Sequence, residues 1–140
     1  MSRAGDPRER LMADIVTHLR SVVPDVIVVY RFGTWGTVAE RPDSDLDLAV
    51  LARQPLPAAQ SWDIAQQFAT RVGCNVDLVD LHVASTVMAA QIVSQGERLY
   101  CSDARRCAEY EDYVYSAYAR LNEERRDILR DIRERGSVYG

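Results

Sequence analysis

Apolar positions recur with two periods along this chain, and the switches between periods mark its elements. In "PRERLMADIVTHLRSVV", Leu11, Ile15, Leu19 and Val22 fall at helical spacing, predicting an amphipathic helix opened by Pro7 and stopped by Pro24. "DVIVVYRF" is a β-branched run suited to a buried strand. A polar connection from Gly33 to Ser44 leads into a second strand, "DLDLAVL", which "QPLP" breaks. The next helix turns Trp62, Ala65, Phe68, Ala69 and Val72 inward and ends at Gly73. "NVDLVDL" predicts a third strand, and "ASTVMAAQIVSQG" a short helix capped by Ser85 and stopped by Gly96. "ERLYCS" can add a short edge strand.

From Asp103 to Arg135 the period becomes helical again. Val114, Tyr118, Leu121, Arg125, Ile128 and Ile132 alternate spacings of four and three, a seam interrupted once by Arg125. The tail "RGSVYG" is too short to fold alone. This order of elements predicts an α/β fold: a small mixed sheet flanked by helices, with a long C-terminal helical segment. Residues 1–140 then form one domain, its helical extension covering about 103–135.

Composition narrows the function classes. Hydrophobic content of 47% and charged content of 27% are those of an ordinary soluble protein. The net charge of -4 argues against direct binding to a nucleic-acid backbone, and the use of arginine for every Lys or Arg implies no function. Cys74, Cys101 and Cys107 lie in no metal-ligand spacing and read as reduced thiols. The opening "MSRAGDPRER" has no apolar signal core, and no uncharged run approaches the ~20 residues that cross a bilayer. No membrane association and a cytoplasmic location are the expectation.

The chemistry concentrates where the second strand begins. Side chains alternate along a strand, so Asp45 and Asp47 share one face while Leu46, Leu48 and Val50 take the other. Two carboxylates so placed repel each other unless a cation lies between them. The third strand offers Asp77, again with apolar neighbours, Val76 and Leu78, on the opposite face. If the two strands pair, three carboxylates converge into a hard oxygen site suited to Mg²⁺. Such a site can clamp a triphosphate. Upstream, Gly33 allows close backbone approach to a phosphate, and Thr34 adds a hydroxyl beside exposed N–H groups.

Gly-Thr, ten residues, then Asp-x-Asp, in "FGTWGTVAERPDSDLDLAVL", resembles the signature of the DNA polymerase β-like nucleotidyltransferase superfamily. "VDLVDL" resembles the strand carrying that family's third carboxylate. Across almost the whole chain, including "QIVSQGERLYCSD" and "YARLNEERRDILRDI", the likeness is to minimal nucleotidyltransferases, the MntA-type adenylyltransferase antitoxins paired with HEPN-domain toxins. The resemblance implies the nucleotidyltransferase fold. It makes Asp45 and Asp47 metal ligands, and Asp77 the third carboxylate, which helps activate the acceptor hydroxyl. Gly33 and Thr34 would contact the triphosphate of ATP. The implied reaction is Mg²⁺-dependent transfer of AMP to a tyrosine of a HEPN ribonuclease toxin, with which the chain forms a hetero-oligomer. Two departures stand out: threonine replaces serine at position 34, and the usual Ala-Arg-Gly reads Gly36-Thr37-Val38.

Other residues carry plainer roles. Asp80 is out of phase with Asp77 and reads as a strand end, and Asp43 and Ser44 as turn formers after Pro42. His18 and His82 are isolated imidazoles without a catalytic partner. Trp35 fits a base-stacking role, an exposed loop aromatic or a core edge equally well. Tyr110, Tyr113, Tyr115 and Tyr118 read as helix packing, and the alternating charges of 124–135 as a solvated face. Two rival functions remain open at this point: a non-catalytic antitoxin acting by contact, and a small-molecule nucleotidyltransferase.

Overall fold

The computed structural model describes residues 6–139, with side chains to 135. Its elements run α1 (Pro7–Val22), β1 (Val26–Phe32), β2 (Leu46–Ala52), α2 (Ala58–Val72), β3 (Val76–Asp80), α3 (Thr86–Gln95), β4 (Glu97–Cys101) and α4 (Ala104–Tyr139). The sheet order is β3-β2-β1-β4, with β2 and β3 parallel and the other pairs antiparallel. The expected mixed sheet and all its strands are therefore present. The parallel pair follows from α2, which carries the chain from the end of β2 back to the start of β3.

Local chemistry sets the ends of the helices. Asp6 accepts a hydrogen bond from the Arg8 amide at 2.9 Å and Pro7 occupies the first turn of α1. Ser85 caps α3 by accepting from the Met88 amide at 3.1 Å. The sheet then divides the core in two. Leu46, Leu48 and Val50 pack with Ile15 and Leu19 of α1 and with Ile64 and Phe68 of α2. On the other face Val28, Tyr30 and Ala49 pack with Ala89 and Ile92 of α3 and with Cys107 and Val114 of α4.

Three expectations need correction. Trp62 does not face the core but is 64% exposed. The buried stripe of α2 is Ile64, Ala65 and Phe68, extended by half-buried Ser61 and Val72, and Trp62 lies on its flank. Val22 likewise rotates outward, and Val23, just past the helix, is buried instead. The long helix ends later than Arg135: α4 is one continuous helix through Tyr139, about 54 Å long at 1.5 Å per residue. Gly140 lies outside the described residues.

Candidate active site

The register of three strands builds the site. Phe32 of β1 pairs with Asp47 of β2, and Asp47 pairs with Asp77 of β3. The two carboxylates are thus lateral neighbours at one end of the sheet, on the face that carries α3 and α4. Asp45 shares their parity but lies just before β2, in exposed chain. Its backbone neighbour Leu46 donates its amide N–H to the Asn75 carbonyl at 2.9 Å, which locks this entry to β2 against the entry to β3.

Asp47 is the focus. Its carboxyl is pushed above its ordinary range first by desolvation, then by the charge of Asp77, then by that of Asp45. All three carboxylates therefore act on one region. Among the described residues, no three His, Cys, Asp or Glu side chains close into a metal cage. The donor chemistry nevertheless fits a hard divalent cation, because each donor is a carboxylate oxygen and a cation would relieve the strain on Asp47.

Gly33 closes the site from the β1 side. Its φ of 75° lies in the left-handed region, and a Cβ there would overlap Oδ2 of Asp47. Thr34 follows, its hydroxyl 2.8 Å from that of Ser44, so the two ends of the loop are tied directly before Asp45. Beside Asp45, Pro42, Ser44, Thr70, Gly73 and Asn75 line an open cleft of about 580 Å³. A cleft of equal volume, about 580 Å³, lies on the far side of the loop between α1 and β4, away from the carboxylates.

Among the plainer readings, that of the α4 tyrosines as helix packing fails for Tyr113 and Tyr115, which stand 69% and 46% exposed; the others hold. Asp80 is buried and accepts from the Leu56 and His82 amides at 2.8 and 2.9 Å, pinning the strand end. His18 contacts Gln67 at 2.8 Å and packs edge-on against Phe68, while the His82 ring meets the Ala52 carbonyl. Neither reaches the carboxylates. Trp35 resolves to a core edge: it is 6% exposed, with the Arg8 guanidinium 4.5 Å from its ring centre.

The sequence reading missed the partners of the loop. Arg8 pairs with Glu40 through both guanidinium nitrogens, and Glu40 also accepts from the Gly36 amide at 2.7 Å. Thirty-two residues separate that pair, and no local spacing signals it. The Glu40 carboxyl is held at about 2 by the Arg8 hydrogen bonds first and the Gly36 amide second.

Comparison with known proteins agrees with this geometry. A family model described as "Polymerase beta, Nucleotidyltransferase" matches residues 14–105. The protein adenylyltransferase MntA of Shewanella oneidensis is 34% identical, with 84% of each chain covered. A chain from the tri-AMPylated Shewanella oneidensis HEPN toxin in complex with MNT antitoxin superposes with a TM-score of 0.75 at 33% identity, covering 89% of this chain and 97% of that one. A chain from a toxin–antitoxin structure with AMP-PNP gives 0.77 at 33% identity, with coverage of 89% and 97%. The Gly-Thr to Asp-x-Asp spacing, the paired carboxylates and these relatives place this chain in the polymerase β nucleotidyltransferase family, with the MntA-type protein adenylyltransferases.

Proposed function

We propose that this chain is an antitoxin adenylyltransferase, moving AMP from ATP to a tyrosine hydroxyl of a cognate HEPN ribonuclease toxin in the cytoplasm. The observation that carries the reading is Asp47, held between Gly33 and Asp77 and destabilised there by its neighbours. A fold does not accumulate anionic charge at one strand end for stability, so the arrangement belongs to a ligand. Relatives similar over nearly their full length are an adenylyltransferase and the antitoxin bound to an AMPylated toxin.

Asp45, Asp47 and Asp77 would hold Mg²⁺, which supplies charge neutralisation to the triphosphate. The Gly33–Thr34 turn offers backbone N–H groups and a hydroxyl to the phosphates, and the glycine lets them approach Asp47. Asp77 accepts the proton of the acceptor tyrosine as its oxygen bonds to the α-phosphorus. The bond from the α-phosphorus to its bridging oxygen breaks and pyrophosphate leaves.

The direct test incubates the purified chain with ATP, Mg²⁺ and the product of the neighbouring HEPN reading frame, then weighs that product. Added AMP on a tyrosine, lost when Asp45 and Asp47 are both alanine, is the expected result. An unmodified toxin at full neutralisation would overturn the enzymatic reading.

A further inference from the structure

The loop from Gly33 to Ser44 forms no helix or strand and has positive φ at both Gly33 and Gly36. Its internal backbone hydrogen bonds are local: the amides of Thr37, Glu40 and Ser44 donate to the carbonyls of Thr34, Thr37 and Arg41, each three residues back. A chain tied only by such turns samples many shapes. Here its long-range ties come from α1 and from β1, which β4 backs. Arg8 of α1 grips Glu40 with a two-nitrogen fork, and the same carboxylate takes the Gly36 amide. Arg31 of β1 presses against Gly36, where a Cβ would overlap its Nη1, and is itself paired with Glu97 of β4. Trp35 lies near both guanidinium groups, at 4.5 Å from Arg8 and 5.9 Å from Arg31, and is buried among α1 side chains.

We infer that Arg8 and Glu40 are positioning residues that clasp this loop to α1 and hold the Gly33–Thr34 turn in the shape that accepts ATP. The inference rests on the proposed nucleotidyl transfer. The arginines are not themselves an anion site, because Glu40 and Glu97 already neutralise them. Glu40 acts through the backbone: its carboxylate joins α1 to the Gly36 amide, three residues beyond the glycine that faces Asp47. Arg8 in turn acts through Glu40. Loosening the clasp therefore costs ordering of the turn when ATP arrives, and leaves the carboxylates in place for the chemical step.

The test uses the full chain with Arg8→Met, Glu40→Gln, the double variant and Arg8→Lys. Arg98→Met serves as control, since it breaks the remote ion pair to Glu111 on α4. Hydrogen exchange of residues 33–44 in the nucleotide-free protein reads the clasp, and calorimetric titration with ATP and Mg²⁺ reads its use. Each single variant should speed exchange in that segment alone and weaken ATP binding roughly threefold to tenfold. KM for ATP should rise with kcat within about twofold, the pattern of a lost binding contribution. The double variant should be no worse than Glu40→Gln, because the two residues are one device. Arg8→Lys should recover part of the loss, and Arg98→Met should leave both readouts unchanged. Unchanged exchange at 33–44, or faster exchange spread over the whole chain, overturns the clasp. Faster exchange with unchanged ATP affinity overturns its role in binding, as do additive losses in the double variant. A wild-type chain that binds no ATP defeats the nucleotide reading instead, while exchange still decides whether the clasp exists.

Discussion

Asp47 is a residue whose native surroundings oppose its charge. Its folded carboxyl sits above its ordinary 3.8, so between those two values the native chain binds more protons than the unfolded chain. Stability therefore falls as pH rises through that window, and the loss persists at pH 7. Asp47→Asn should raise the melting temperature of the metal-free protein at pH 7, by about 1–3 °C given its partial exposure. The gain should vanish at acid pH, below both values, and scanning calorimetry in EDTA at the two pH values decides it. A lower melting temperature for the variant at pH 7 would mean that Asp47 supports the fold rather than a ligand. Gly33 and Thr34 should separate as sharply in an assay of transfer. Gly33→Ala places a Cβ against Asp47 at a positive φ and should lose most activity, whereas Thr34→Ala leaves the backbone N–H groups and costs roughly 1 kcal/mol. Equal losses from the two would contradict the close approach of Gly33. At this scale the sequence was legible in placement: strand parity brought Asp47 beside Asp77, and the glycine lies against Asp47. It was illegible at Arg8 and Glu40, since pairs formed by tertiary packing leave no periodic trace.

Element by element, legibility followed the strength of the period. β1 was readable from its β-branched run, β2 and β3 from short apolar runs bounded by turn residues, and β4 only as an optional edge, while Ser85 and Gly96 bounded α3 as read. Trp62 and Val22 misled because a hydrophobic side chain near the edge of a helical stripe can point either way. Neighbouring Ile64 and Val23 filled the available core space first. On α4 the seam was read correctly and its fate was open. Val114 is buried and Tyr118 and Leu121 are half-buried, but Ile128, Leu129 and Ile132 stand 59%, 56% and 58% exposed. Around them the charges pair along the helix, Arg130 with Asp127 and Arg135 with Asp131, so this stretch is a solvated helix bearing an uncovered apolar strip. Charge at Ile128 and Ile132 should thus leave the melting temperature within about 2 °C of wild type, since little burial is lost. The same Ile128→Asp and Ile132→Asp changes should weaken association with the HEPN toxin in a pull-down or titration. A chain destabilised throughout by them would make the strip ordinary core.

On the scale of the whole molecule, the site residues belong to β2, β3 and the chain before β2, and the strip to the C-terminal part of α4. The carboxylates stand at one end of the sheet, where Asp47 meets Asp77. The helix bearing the strip is anchored at its opposite, N-terminal part: Cys107 and Val114 pack into the core and Glu111 accepts the Tyr30 hydroxyl at 2.9 Å. Burial and the Glu111 contact both raise the Tyr30 phenol, which stays neutral and keeps donating. Among the described residues, no helix is long and apolar enough to cross a membrane. Because site and strip are distinct, catalysis and contact can be uncoupled, and the outcome chooses between transferase and binding antitoxin. A transferase acts below parity, since one molecule marks many toxins and the covalent mark outlives the encounter. A binding antitoxin must match its toxin one for one and frees an active toxin when it leaves. Alanine at both Asp45 and Asp47 removes charge from exposed or half-buried positions without touching α4. The double variant should therefore still capture the toxin, yet fail to protect growing cells when expressed well below it. Equal rescue by wild type and double variant at matched low expression would leave contact as the mechanism and reduce the carboxylates to a remnant of the family.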